Sequence, residues 1–170
     1  MFVVNVMYYG HAAEVAIRAA LYLGARPPGE LSPVQDIADD TKLPKAYLSK
    51  IIQRLAQAGL VRTFRGPGGG IELGKSPEAI TLGALVTAVE GRADLERCAL
   101  GIGECSAANP CALHARWSPL RNESMRLLED TTLAAVLQDM PRPRNKKQAA
   151  ARRGGSASNQ EIISERQDRP

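Results

Sequence analysis

Residues 32–73 read SPVQDIADDTKLPKAYLSKIIQRLAQAGLVRTFRGPGGGIEL. Ser32-Pro33-Val34-Gln35 offers a serine to cap a helix, a proline at its first position and a glutamine three residues after the serine, which predicts a short helix through about Asp39. Asp40-Thr41-Lys42-Leu43 reads as a turn. Pro44 then opens a helix with the apolar stripe Tyr47, Leu48, Ile51, Ile52 and Leu55, and Gly59 ends it. Two short helices joined by a tight turn form a helix-turn-helix candidate. Residues 60–64 and 71–73 are short strand-like runs around the glycine-rich Arg65-Gly66-Pro67-Gly68-Gly69-Gly70, the pattern of a β-hairpin.

Before this stretch, Val15, Ala16, Ala19, Ala20 and Leu23 recur at helical spacing with Arg18 opposite, so a first helix is expected over 12–23, broken by ARPPGEL at 25–31. The order helix, helix, helix, hairpin predicts a winged helix-turn-helix, in which the third helix enters a groove of DNA and the hairpin wing reaches the groove beside it. Thr81 can cap another helix through Glu90. A cysteine-bearing loop follows at 91–113, then a long amphipathic helix and a short C-terminal one within 114–140. The fold class is thus mainly α with one small β-hairpin, the DNA-binding domain occupying residues 7–90. After Met140 the chain is polar and has no burying stripe, and it is expected to be a disordered basic tail at 141–170.

The charges favour the same reading. The net charge is +4, but residues 141–170 hold eight Lys/Arg against three acids, which leaves the body near neutral at −1. Within that body, residues 41–70 carry Lys42, Lys45, Lys50, Arg54, Arg62 and Arg65 with no Asp or Glu. A single-sign cluster on a helix and its wing suits a polyanion. The candidate DNA contacts are Lys45, Tyr47, Ser49, Lys50 and Arg54 on the helix, with Lys and Arg neutralising phosphates and Ser49 and Lys50 addressing base edges. Arg65, at the wing tip, is placed to enter a narrow minor groove, whose negative potential attracts arginine.

Several classes are set aside. A chain of 170 residues, 44% hydrophobic and 4% aromatic, can bury one modest core, and two full enzyme domains would not fit. Gly69, Gly74, Lys75 and Ser76 satisfy the pattern of a phosphate-binding loop, but the four residues between the glycines are Gly70-Ile71-Glu72-Leu73, a strand pattern carrying an acid. No paired carboxylates or nucleophile–base arrangement stands out, so an enzyme is not expected. There is no run of about 18 apolar residues and no basic leader at the start, so a cytoplasmic protein without a membrane partner is expected.

Cys98, Cys105 and Cys111 follow a C-x6-C-x5-C spacing, and Cys111-Ala112-Leu113-His114 adds an imidazole. An odd number of cysteines within fourteen residues argues against a disulfide framework. Zinc usually takes tight C-x2-C knuckles, whereas widely spaced thiolates in a Gly/Asn/Pro-rich loop suit an iron–sulfur cluster. Thiols that respond by disulfide chemistry are the other reading.

Four segments together, Glu14-Val15-Ala16-Ile17-Arg18, PKAYLSKIIQRLAQAGLV, the wing RGPGGGIELGKSPEAITLGALVTAVEG and the cysteine triplet with His114, closely resemble the Rrf2 family of bacterial winged-helix regulators over about residues 7–140. The resemblance implies a homodimer held by the long C-terminal helix, a palindromic double-stranded operator, and a cluster sensing redox state, nitric oxide or iron–sulfur status. It implies three cysteine ligands and offers two for the fourth: the histidine matching His114 in members with a 2Fe–2S cluster, or the helix-one acid matching Glu14, from the partner subunit, in members with a 4Fe–4S cluster. Departures are a first cysteine gap of six residues in place of five, a start that matches only from Met7, and Ser49 where the iron–sulfur-biogenesis regulator has glutamate. A metal-free or zinc-stapled regulator is the alternative.

Overall fold

A computed structural model describes residues 9–92, 97–103 and 105–140 of the chain. Helix α1 (His11–Gly24) buries Ala13, Val15, Ala16, Ala19, Ala20 and Leu23, the stripe its periodicity predicts. Helices α2 (Val34–Thr41) and α3 (Lys45–Gln57) follow, and the turn between them places Lys42 in the left-handed conformation at the end of α2. Leu48, Ile51, Ile52 and Leu55 of α3 are buried against α1, α2 and the next helix, α4 (Leu82–Glu90). Strands β1 (Val61–Phe64) and β2 (Gly70–Leu73) pair antiparallel in the register Val61 to Leu73 and Phe64 to Gly70, forming the expected wing.

Ser32 corrects the sequence reading. It does not cap α2, because the capping position is Pro33 and no side chain bonds the first turn. Instead Ser32 is buried and exchanges both backbone hydrogen bonds with Ile71, at 2.9 Å each, as a one-residue third strand along the wing. The cause is local: a proline disfavours helical backbone in the residue before it and drives that residue extended.

Thr81 caps α4, its Oγ1 accepting from the Ala84 N–H at 3.1 Å. The long helix α5 (His114–Asp130), two residues longer than its apolar pattern, ends at Thr131, and α6 (Leu133–Asp139) begins after Thr132, whose Oγ1 accepts from Ala135 N–H at 3.2 Å. The two capping threonines lie side by side. Leu82 N–H bonds Thr131 O at 2.9 Å, and Leu133 N–H bonds Ile80 O at 2.7 Å. This seam docks α6 on α1, where a Cβ on Gly24 would come within 2.8 Å of the Leu137 side chain.

Helix α5 is the exception to the burial pattern. Leu128 is its one buried residue, while Leu120 and Leu127 are 63% and 66% exposed and Leu113, just before it, is 40% exposed. These three leucines are seven residues apart and so share one face. Among the described residues no helix is long and apolar enough to cross a membrane. The basic tail and the question of Met7 lie outside the described residues.

Candidate nucleic-acid interface and cysteine centre

The apolar stripe of α3 fixes which side faces outward. Lys45, Lys50 and Arg54 are exposed along it, with no acidic side chain on the helix. Ser49 is half-buried, and its Oγ donates to the Lys45 carbonyl at 2.9 Å, a local bond that binding to a base edge would replace. Tyr47 is also half-buried; its ring stacks on that of His11 with centroids 5.5 Å apart and planes within 5°. Arg54, although exposed, donates from Nη1 to the Val89 carbonyl at 2.6 Å. The recognition helix is therefore held near its start by α1 and near its end by α4.

On the wing, Arg65 is exposed at the end of β1, beside Phe64, which is 46% exposed. The turn beyond it depends on glycine. Gly66 and Gly68 have φ of +94° and +79°, and a Cβ on Gly69 would strike the Phe64 carbonyl. Arg62 instead pairs with Glu72 across the hairpin at 2.8 Å. The phosphate-loop match is a strand, since Gly70–Leu73 is β2.

The cysteines gather in a separate region. Cys98 is buried in a tight turn, its N–H bonding Gly103 O at 3.0 Å and its carbonyl accepting from Gly101 N–H at 2.9 Å. Within that turn the Leu100 N–H, then the Cys111 thiol and the Ile102 N–H, hydrogen-bond the Cys98 sulfur and hold its thiol below the ordinary range, against the opposing effect of burial. Cys98 Sγ lies 3.3 Å from Cys111 Sγ, and Cys105 Sγ lies 3.3 Å from His114 Nδ1. Helix α5 supports the loop from one side: Arg121 Nη1 donates to Cys105 O at 3.3 Å, and Trp117 Nε1 to Arg97 O at 3.4 Å. Positions 114, 117 and 121 share a helical face. The four side chains thus form two close pairs, and among the described residues no three His, Cys, Asp or Glu side chains converge on one point.

Glu14 is engaged elsewhere. Its Oε1 lies 3.3 Å from Arg18 Nη1 and its Oε2 3.3 Å from His11 Nδ1, and Arg18 also donates to the Thr41 carbonyl. Two structural residues escaped the sequence reading. His11 was one lone imidazole among apolar neighbours, and Glu90, at the end of α4, accepts the Ala13 N–H at 3.2 Å, a contact across 77 positions that no local motif announces.

The sequence profile of the Rrf2 family, described as an iron-dependent transcriptional regulator, matches residues 9–139. The HTH-type transcriptional regulator IscR of Yersinia pestis is 35% identical over 133 residues, covering 77% of this chain and 80% of that one. IscR of Vibrio campbellii is 31% identical over 124 residues, covering 73% of each. Among solved structures, CymR, the global cysteine regulator of B. subtilis, superposes with a TM-score of 0.68 over 80% of this chain and 100% of its own, at 24% identity, a likeness of fold. With the basic recognition helix and wing in place, the chain belongs to the Rrf2 family of winged-helix, DNA-binding transcriptional regulators.

Proposed function

We propose that this regulator reads a palindromic operator as a homodimer, and that an iron–sulfur cluster held by Cys98, Cys105, Cys111 and His114 controls the reading. The observation that carries the cofactor is the pairing of donors. A zinc ion needs four donors converging on one point, whereas a two-iron cluster takes two protein ligands on each iron. Cys98 with Cys111 and Cys105 with His114 are two such pairs, each 3.3 Å apart. Three soft thiolates and one imidazole are also the right kinds of donor for iron and sulfide. His114 is favoured over Glu14 for the fourth position, because the Glu14 carboxylate already serves Arg18 and His11. Bound there, such a cluster supplies a centre that oxidation, nitric oxide or iron shortage can alter or remove. The N–H groups of Leu100 and Ile102 favour the Cys98 thiolate, and Arg121 and Trp117 hold the loop on α5.

Homodimerisation is supported by Leu113, Leu120 and Leu127, a heptad-spaced apolar face with little of the chain's own core to cover it. A two-fold dimer would present two recognition helices to two half-sites. One observation favours a second reading of the centre: at 3.3 Å, Cys98 and Cys111 are close enough to close into a disulfide when an oxidant takes two electrons and two protons from the thiols. The test is operator affinity, on a duplex the protein selects from a randomised pool, before and after iron is removed anaerobically by a chelator. A change of about tenfold or more is expected. Equal affinities, with a response to oxidant that Cys98→Ser abolishes, would contradict cluster control and favour the disulfide.

A further inference from the structure

The last turn of α4 precedes the cysteine-bearing segment, and seven positions after Gly91 the chain reaches Cys98. Two long-range contacts from that turn grip the domain. Val89 O accepts from Arg54 Nη1 at 2.6 Å, tying the end of α4 to the later turns of the recognition helix. Glu90 Oε1 accepts from Ala13 N–H at 3.2 Å, sharing that N–H with the Gly10 carbonyl at 3.1 Å and giving the start of α1 the side-chain cap that Gly10 lacks, and a Cβ on Gly10 would lie 2.7 Å from that same oxygen. The start of α1 in turn carries His11, whose ring stacks on Tyr47 in the first turn of the recognition helix. Both ends of α3 are therefore tied to one turn, directly through Arg54 and through α1 by Glu90. Beyond it Gly91, at φ +84°, redirects the chain.

We propose that Val89, Glu90 and Arg54 form a joint at the end of α4 that sets the placement of the recognition helix, with Arg54 a positioning residue in that joint and no phosphate ligand. The inference rests on the operator-binding reading above. A displacement of the α4 end pulls on Val89 O and on Glu90 together. Both pulls reach α3, one at Arg54 and the other at Tyr47. Lys45 and Lys50, which lie between those anchors or beside them, are then moved relative to the duplex without any change in their own charge.

Glu90 gives a test in which electrostatics and positioning predict opposite signs. Removing an acid makes a protein more attractive to a polyanion, so by charge alone Glu90→Ala tightens DNA binding. The joint predicts that it weakens. Full-length wild type, Glu90→Ala, Glu90→Gln and Arg54→Ala are titrated on a duplex selected by the wild type from a randomised pool and on its scrambled counterpart, across a salt series. Glu90→Ala is expected to lose about tenfold on the selected duplex and less than about twofold on the scrambled one, while Glu90→Gln, which keeps an acceptor for Ala13 N–H, binds within about twofold of wild type. Arg54→Ala is expected to lose a similar factor with an unchanged slope of log affinity against log salt, where loss of a phosphate contact lowers the slope by about 1. Unchanged or tighter binding by Glu90→Ala overturns the joint, as does an Arg54→Ala protein with a reduced slope and equal losses on both duplexes. A wild type that selects no duplex overturns the operator-binding reading itself, and the joint with it.

Discussion

Replacing Leu120 with aspartate tests the association of two chains through α5. Leu120 is 63% exposed in a single chain, on the same face as Leu113 and Leu127. Fully burying a leucine is worth about 1.5–3 kcal/mol, so covering the exposed part of Leu120 contributes roughly 1–2 kcal/mol per chain. Two-fold symmetry counts the residue twice, giving about 2–4 kcal/mol, or a roughly 30- to 700-fold weaker dimer, before the cost of placing a carboxylate in the seam is added. The three leucines on both chains together supply on the order of 5–10 kcal/mol, comparable with the cost of bringing two molecules together, so losing one pair is decisive. Sedimentation equilibrium over a dilution series reads the constant directly, and circular dichroism checks that α5 persists. A Leu120→Asp protein that dimerises as tightly as wild type refutes the seam, and so does a wild type that is monomeric at all concentrations.

Three further outcomes are expected. His114→Ala should shorten cluster lifetime and change the absorption spectrum, while Glu14→Ala should leave both as in wild type; the reverse pattern, read anaerobically, would assign the fourth position to Glu14. Arg65→Ala should cost about 1–3 kcal/mol on the selected duplex and less on scrambled DNA, because a minor-groove arginine reads groove width; equal losses in a binding titration would make it a phosphate contact only. Gly70→Val forces a Cβ to within 3.0 Å of the Ser32 backbone and should cost about 1–3 kcal/mol, lowering the thermal midpoint by several degrees; an unchanged midpoint would show that the strand at Ser32 gives way freely.

Residues whose role is set by near neighbours were legible from the sequence. The stripe of α3, the cap at Thr81 and the hairpin around Gly66–Gly69 each follow from spacing or from one residue's conformational needs. At Ser32 two local rules compete: serine favours a cap, the following proline favours extended backbone, and the partner strand at Ile71 decides between them. Glu90, His11 and the anchor of Arg54 could not be read, because their partners lie on other elements and sequence shows only exposure and charge. In the cysteine loop the sequence names the three thiols and the imidazole that the fold brings near one another. Their division into pairs was not, since spacings of six and five residues across glycine-rich turns leave the order of contacts open.

The most direct test of the account is the iron and acid-labile sulfide content of anaerobically purified protein, measured per chain together with its absorption spectrum. The paired donors predict coloured protein with two irons and two sulfides per chain, lost when Cys98, Cys105 or Cys111 is replaced by alanine. Colourless protein that carries stoichiometric zinc and takes up no iron on reconstitution would contradict it.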